Sequence, residues 1–210
     1  MLEGIPDTWP PSDEPVQHAV VPLFPLANVW LFPGAILPLH IFEPRYREMI
    51  EDSLDGPGRL VLGTVMEGHE EQVSGAPPVY PVAGLGEIGR HDRLPDGRFV
   101  IILVGLARVR LNEIESDRTY RKVEIEPVLE THADSSVDPD LRGQLSDAIR
   151  KRIQEEIELP KKVPLGHLVD LLTLRMRLPH SRLQEIYQET DVGRRAQLAL
   201  VEHQVRPLPE

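Results

Sequence analysis

Gly84-Leu85-Gly86-Glu87-Ile88-Gly89 has the G-x-G-x-x-G spacing of a phosphate cradle. That chemistry needs a strand before the glycines and a helix after them, with phosphate on the helix N-terminus. Here Arg90 to Gly97 lead through a turn into another strand pattern. The glycines therefore read as places where a strand bends or another backbone comes close. His69-Glu70-Glu71 begins like a zinc-binding H-E-x-x-H, but Val73 stands where the second histidine belongs. His40 and Glu43 lack a third ligand nearby, so no metal site and no cofactor is expected. His180 and Ser181 are adjacent, and neighbours on a helix point about 100° apart, so they do not converge as base and nucleophile. They stand after Pro179, where capping residues belong. No catalytic set emerges. A hydrolase using Glu43 or His40 would need both in one cavity with perturbed titration.

Three other groups could make contacts. Glu43, Arg45 and Arg47 surround a helix start at Pro44 and read as a fold-defining corner, with a ligand-contacting rim as the rival. Arg108 and Arg110 share one strand face, and with Arg121 could form a basic stripe for nucleic acid. Pairing with Glu113, Glu124 or Glu126 is the plainer account. Trp30, Phe32, Leu39, Phe42 and Tyr46 form an apolar cluster that is mostly core. The Pro33-Gly34 turn leaves part of it at a rim, where an apolar patch can catch exposed peptide. These five are the candidate peptide- or partner-binding residues.

The elements that must position them follow from the pattern. Ala19 to Phe42 reads as short extended pieces: Ala19 to Phe24, Val29 to Phe32, and Ile36 to Phe42. Nine of the 21 prolines lie in the first 44 residues, which forbids a regular helix there. Pro44 then opens a helix with Tyr46, Met49, Ile50 and Leu54 on one stripe. Leu60 to Met66 is a buried strand, and Glu67 to Pro78 a loop. Val82 to Leu94 and Phe99 to Leu111 are strands joined by the turn Pro95-Asp96-Gly97, and Tyr120 to Leu129 is another strand. After residue 135 the period becomes helical. Asp138-Pro139 starts a helix through Leu141, Leu145, Ile149, Ile153 and Ile157 that Pro160 ends. Further helices run from Leu165 to Met176, after Pro179, and from Asp191 to about Gln204.

Composition narrows the function classes. The 210 residues contain no cysteine, which excludes disulfides and thiolate chemistry. Residues 1–135 hold 22 acids against 11 bases, the whole of the net charge of −11, which argues against nucleic acid as partner. Met1 to Pro15 is acidic and proline-rich without a basic start, so no secretory signal is read. The longest apolar run, Phe99 to Leu106, is far short of the roughly 20 residues that span a bilayer. A cytoplasmic protein without membrane contact is expected, with residues 1–17 a disordered acidic tail, 18–135 a β-rich part and 136–206 a helical part.

Three segments carry a resemblance. They are Leu23-Phe24-Pro25-Leu26 through Leu31-Phe32-Pro33-Gly34 to Leu37-Pro38-Leu39-His40-Ile41-Phe42-Glu43-Pro44-Arg45-Tyr46-Arg47; then Gly84 to Gly89 with Leu94 to Arg98; then Gly105-Leu106-Ala107-Arg108-Val109-Arg110 with Tyr120-Arg121. Together they resemble the Lon protease N-terminal, substrate-binding domain family, over roughly residues 18–205. Leu183 to Tyr187, Asp191 and Arg195 in the helical part are also similar to that family. The resemblance implies an α+β fold: a PUA-like twisted β pseudo-barrel followed by a C-terminal helical bundle. It implies substrate recognition rather than proteolysis, since the sequence holds no G-x-x-x-x-G-K-[ST] loop. The expectation is a free-standing, non-enzymatic module, monomeric or weakly dimeric, that binds protein or unfolded peptide segments. An RNA-binding PUA-like module is the alternative.

Overall fold

A computed structural model describes residues 17–72, 75–131, 140–153 and 163–208. The chain forms two compact units, Met1–Val128 and Leu129–Glu210. The first holds β1 (Ala19–Leu26), β2 (Ile36–Ile41), α1 (Pro44–Leu54), β3 (Arg59–Thr64), β4 (Val82–Arg93), β5 (Phe99–Ile114) and β6 (Arg121–Pro127). The strands run in the order β2-β5-β4-β3-β1-β6, and β5 also pairs with β6. Five strands therefore close into a ring, with β2 added outside it. That is the pseudo-barrel expected from the sequence. Closure depends on the length of β5, whose 16 residues exceed any single partner. Phe99 to Val104 pair with β2, and Val109 to Ile114 pair with β6.

Side chains alternate between two cores, as the two-residue strand period requires. Val61 joins Leu23, Leu85, Val109, Val123 and Ile125 in one cluster. Its neighbours Leu60 and Leu62 join Tyr46, Met49 and Ile50 of α1 in the other. Pro44 occupies the first turn of α1, where its missing N–H costs nothing.

The segment from Val29 to Phe32, expected to be extended, lies outside the strands. Its backbone runs across the face of β4 and β5 instead of beside an edge, so it joins no ladder. A methyl group at Gly84 would sit 2.2 Å from the Leu31 carbonyl oxygen, and one at Gly105 would sit 2.1 Å from that of Phe32. At Gly86 it would meet the side chains of Leu31 and Leu103. Gly86 and Gly105 are cross-strand partners, so the three glycines make one bare platform. Gly84 and Gly86 belong to the motif that resembled a phosphate cradle. Their context is strand to strand, and their role is close backbone approach. The crossing ends in a bulge: Gly34 N–H donates to the Gly105 carbonyl at 2.9 Å, and Gly105 N–H to that of Ala35 at 2.8 Å. Gly34 takes a φ of 85°, the left-handed conformation this bulge type requires.

The second unit holds α2 (Leu141–Ile153), α3 (Leu165–Leu174), α4 (His180–Gln188) and α5 (Val192–Val205). Asp191 caps α5 by accepting from the Arg194 N–H at 2.8 Å, as its position suggested. Leu145, Ile149, Leu168, Leu172, Ile186 and Ala196 form its core. The units divide between Val128 and Leu129, upstream of the composition change at residue 135. The reason is local. Thr131 bridges Asp191 in parallel, and Glu130 pairs with Arg195. Fully buried Arg195 also lies 3.9 Å from Asp170 and donates to the Glu189 carbonyl. The expected acidic tail, the Asp138-Pro139 helix start and the Ile157 to Pro160 helix end fall outside the described residues.

Three substitutions test these constraints by urea unfolding followed with far-UV circular dichroism. Gly84→Ala is expected to cost about 1–3 kcal/mol or more by forcing backbone apart. Gly56→Ala, with only a 3.7 Å contact, should stay within about 0.5 kcal/mol of wild type. Arg195→Met strips the cation from Asp170 and Glu130 and is expected to cost about 3–5 kcal/mol.

Candidate binding face

The bulge at Gly34 fixes which side of β2 meets solvent. Ala35 opposite Gly105 is a bonded pair, so antiparallel alternation makes Leu37, Leu39 and Ile41 the residues that exchange bonds with β5. Ile36, Pro38 and His40 then direct their backbone groups to the open edge. Pro38 stands where a missing donor breaks no ladder bond. The same residues share a side-chain face by the two-residue period. Leu37 and Leu39 pack toward α1, against the core. Ile36, Pro38, His40 and Phe42 are exposed on the outer side, with Val100 of β5 directly opposite His40. The rings of His40 and Phe42 lie 5.9 Å apart. Arg90 and Asp92 of β4, register partners of Ile102 and Val100, flank the stripe and face each other at 3.6 Å. The result is an apolar strip with one histidine in it and a weakly paired, exposed charge couple beside it.

The five sequence candidates do not assemble into one site. Phe42 lies on the outer face, 60 % exposed. Leu39 is half-buried and points to the core side. Trp30 is half-buried beside Tyr80, ring centroids 6.2 Å apart. Phe32 is 1 % exposed and Tyr46 4 % exposed, so neither side chain can touch a peptide. Phe32 is held in the glycine crossing. Tyr46 packs edge-on against Phe24 at 4.6 Å, and burial pushes its phenol pKa up. The sequence reading missed Ile36, Pro38 and Val100. Their i, i+2 spacing was visible, but every residue from Ile36 to Ile41 except His40 is apolar or proline, so alternation could not say which side faced water.

The other constellations resolve structurally. Arg45 pairs with Glu43 at 2.9 Å and donates to the Gly75 carbonyl, which clamps the helix corner to a loop. Arg47 reaches the turn at Gly97, within reach of any methyl placed there. The basic stripe is not formed. Arg108 is buried with its guanidinium 5.6 Å from the Phe32 ring. Arg121 holds Glu113 with two bonds, and that hydrogen bonding lowers the Glu113 pKa. Only Arg110 of the three is exposed, opposite Glu126. His69 approaches Gln72 at 3.3 Å, and among the described residues no group of three or more histidines and carboxylates is placed to hold a metal. Pro179 itself is the N-cap of α4, and neither His180 nor Ser181 caps it. Among the described residues no helix is long and apolar enough to cross a membrane.

Comparison with known proteins gives one consistent family. The model of the ATP-dependent protease La (LON) substrate-binding domain matches residues 20–202. The chain is 28% identical over 196 residues to a Lon protease of Anaeromyxobacter dehalogenans, covering 87% of this chain and 22% of that protein. It is 30% identical over 138 residues to Lon protease 2 of Syntrophobacter fumaroxidans, covering 65% and 17%. The chain thus spans less than a quarter of these relatives. Among solved structures, the Lon N-terminal domain protein from Xanthomonas campestris superposes with a TM-score of 0.67 at 21% identity, covering 87% of this chain and 98% of that one. The N-terminal domain of Mycobacterium avium complex Lon protease gives 0.65 at 15% identity, covering 90% and 100%. These likenesses carry the same fold that the strand ring and four helices describe. The chain belongs to the LON substrate-binding domain family.

Proposed function

We propose that this chain is a non-catalytic protein-interaction module that binds exposed apolar polypeptide segments. The observation that carries the reading is the outer strip of β2 and β5. Ile36, Pro38, Phe42 and Val100 stay in water there, although the same strands turn Leu37, Leu39, Ile41, Phe99 and Ile101 toward the core. An exposed apolar patch on a folded domain marks an interaction surface. The family description, a substrate-binding domain, supports protein as the ligand. The partner is an unfolded or extended protein segment, bound in the cytoplasm by a monomer or weak dimer, without nucleic acid, membrane or cofactor. A role in protein quality control follows from that ligand class.

Fluorescence anisotropy with a labelled, permanently unfolded apolar polypeptide tests the proposal. Burying a phenylalanine is worth about 1.5–3 kcal/mol, so Phe42→Ser should weaken binding about tenfold or more. Its melting temperature should stay near wild type, because Phe42 is mostly exposed. Unchanged affinity in Phe42→Ser and in Ile36→Ser would reject the face. Single-stranded RNA binding that falls steeply with salt would favour the nucleic-acid alternative instead.

A further inference from the structure

Helix α5 ends in an unusual way. The last four carbonyls of a helix lack internal donors, and here a side chain from another helix reaches one of them, that of His203, and the two carbonyls just beyond the helix end. Arg152 of α2 is 5 % exposed. Its Nη2 donates to the carbonyls of His203 and Arg206 at 3.2 and 3.3 Å, and its Nη1 to that of Pro207 at 3.3 Å. Its Nε donates to His203 Nδ1 at 2.9 Å. The guanidinium charge is thus met by the negative end of a helix and one imidazole nitrogen.

That last bond restricts the histidine. Nδ1 accepts only in the neutral ring with its proton on Nε2. A proton on Nδ1 would point N–H at N–H and place a second positive charge against the first. Arginine does not give up its proton, so the histidine must stay neutral or the contact must break. We propose that Arg152 and His203 form an acid-sensitive latch that holds the end of α5 and the residues after it, Arg206 to Leu208. This rests on the helical unit alone and is independent of the binding face.

The surroundings offer no relief to a protonated ring. From α2, Lys151 adds like charge, and Asp147 is paired with Arg150 at 3.0 Å. On α5, Glu202 is engaged by both Arg182 of α4 and Arg206, which follows the helix, each at 2.8 Å. Burial, then Arg152, then Lys151 lower the His203 pKa. The ring nevertheless borders a cleft with Gln144, Asp147, Lys151 and Leu208, so protons reach it. With the closed-state pKa below the ordinary value of about 6.5, the latch is fully held above that pH. The open form takes the proton first as pH falls. The closed-to-open ratio then drops by up to tenfold per pH unit until the closed-state pKa is passed. Opening frees a helix end in which Val205 and, beyond it, Leu208 are already exposed.

Hydrogen exchange of the full chain at pH 7.5 and 5.0, corrected for intrinsic rates, tests the latch. Protection of the amides of His203 to Arg206 and of Leu208 is expected to fall at pH 5.0, by up to about thirtyfold, with the core of α3 unaffected. His203→Gln keeps an acceptor for Arg152 but cannot titrate, so it should stay protected at both values. Arg152→Met should be unprotected at both. Protection unchanged in wild type, or a fall that His203→Gln retains, overturns the proposal. A histidine titration by NMR on the unmodified chain decides the matter without any variant. A His203 midpoint below about 6.5 is required, and one at or above it rejects the latch.

Discussion

The backbone of Leu31 and Phe32 lies where side chains on β4 and β5 would otherwise stand. Everything in the β-rich unit is arranged around that contact. Gly84, Gly86 and Gly105 leave the space, and the carbonyls of Leu31 and Phe32 occupy it. The crossing delivers the chain from the end of β1 to the start of β2, on the far side of β5. It also buries Phe32 and Leu31. Once Gly34 has closed the bulge, the register of β2 is set. A one-residue slip would turn Ile36 and Pro38 inward and expose Leu37 and Leu39.

The proposed binding face is a by-product of that register. Among the described residues β2 has one paired edge and one open edge, and an open edge invites aggregation. Pro38 removes a donor from it, which limits uncontrolled strand pairing. The apolar face beside it remains open. This combination suits a surface that must meet apolar segments without polymerising with its own kind. Side-chain capture is then favoured over full strand addition.

Much of this was legible in the residues. The turn at Pro95 to Gly97, the helix at Pro44, the cap at Asp191 and the rejection of the glycine motif as a phosphate site all rest on local chemistry, which sequence displays directly. The face of β2 was not legible, because leucines and isoleucines alternate with proline rather than with charged residues. Only knowledge of where α1 packs assigns inside and outside. The burial of Arg108 over Phe32 was not legible, because a buried arginine over an aromatic ring has no local signature; Phe32 lies 76 residues earlier in the chain. Arg152 went unnoticed for the same reason, its acceptors being 51 to 55 residues away.

The central claim is that the ligand lands on the outer face of β2 and β5. Titrating the isotope-labelled chain with an unfolded apolar polypeptide, and following amide and methyl signals by NMR, locates the contact. The account predicts shifts centred on Ile36, His40, Phe42, Arg90 and Val100, with Leu23, Val61 and Ile125 inside the ring unmoved. Shifts centred instead around Arg110 and β6, or confined to the helical unit, would contradict it.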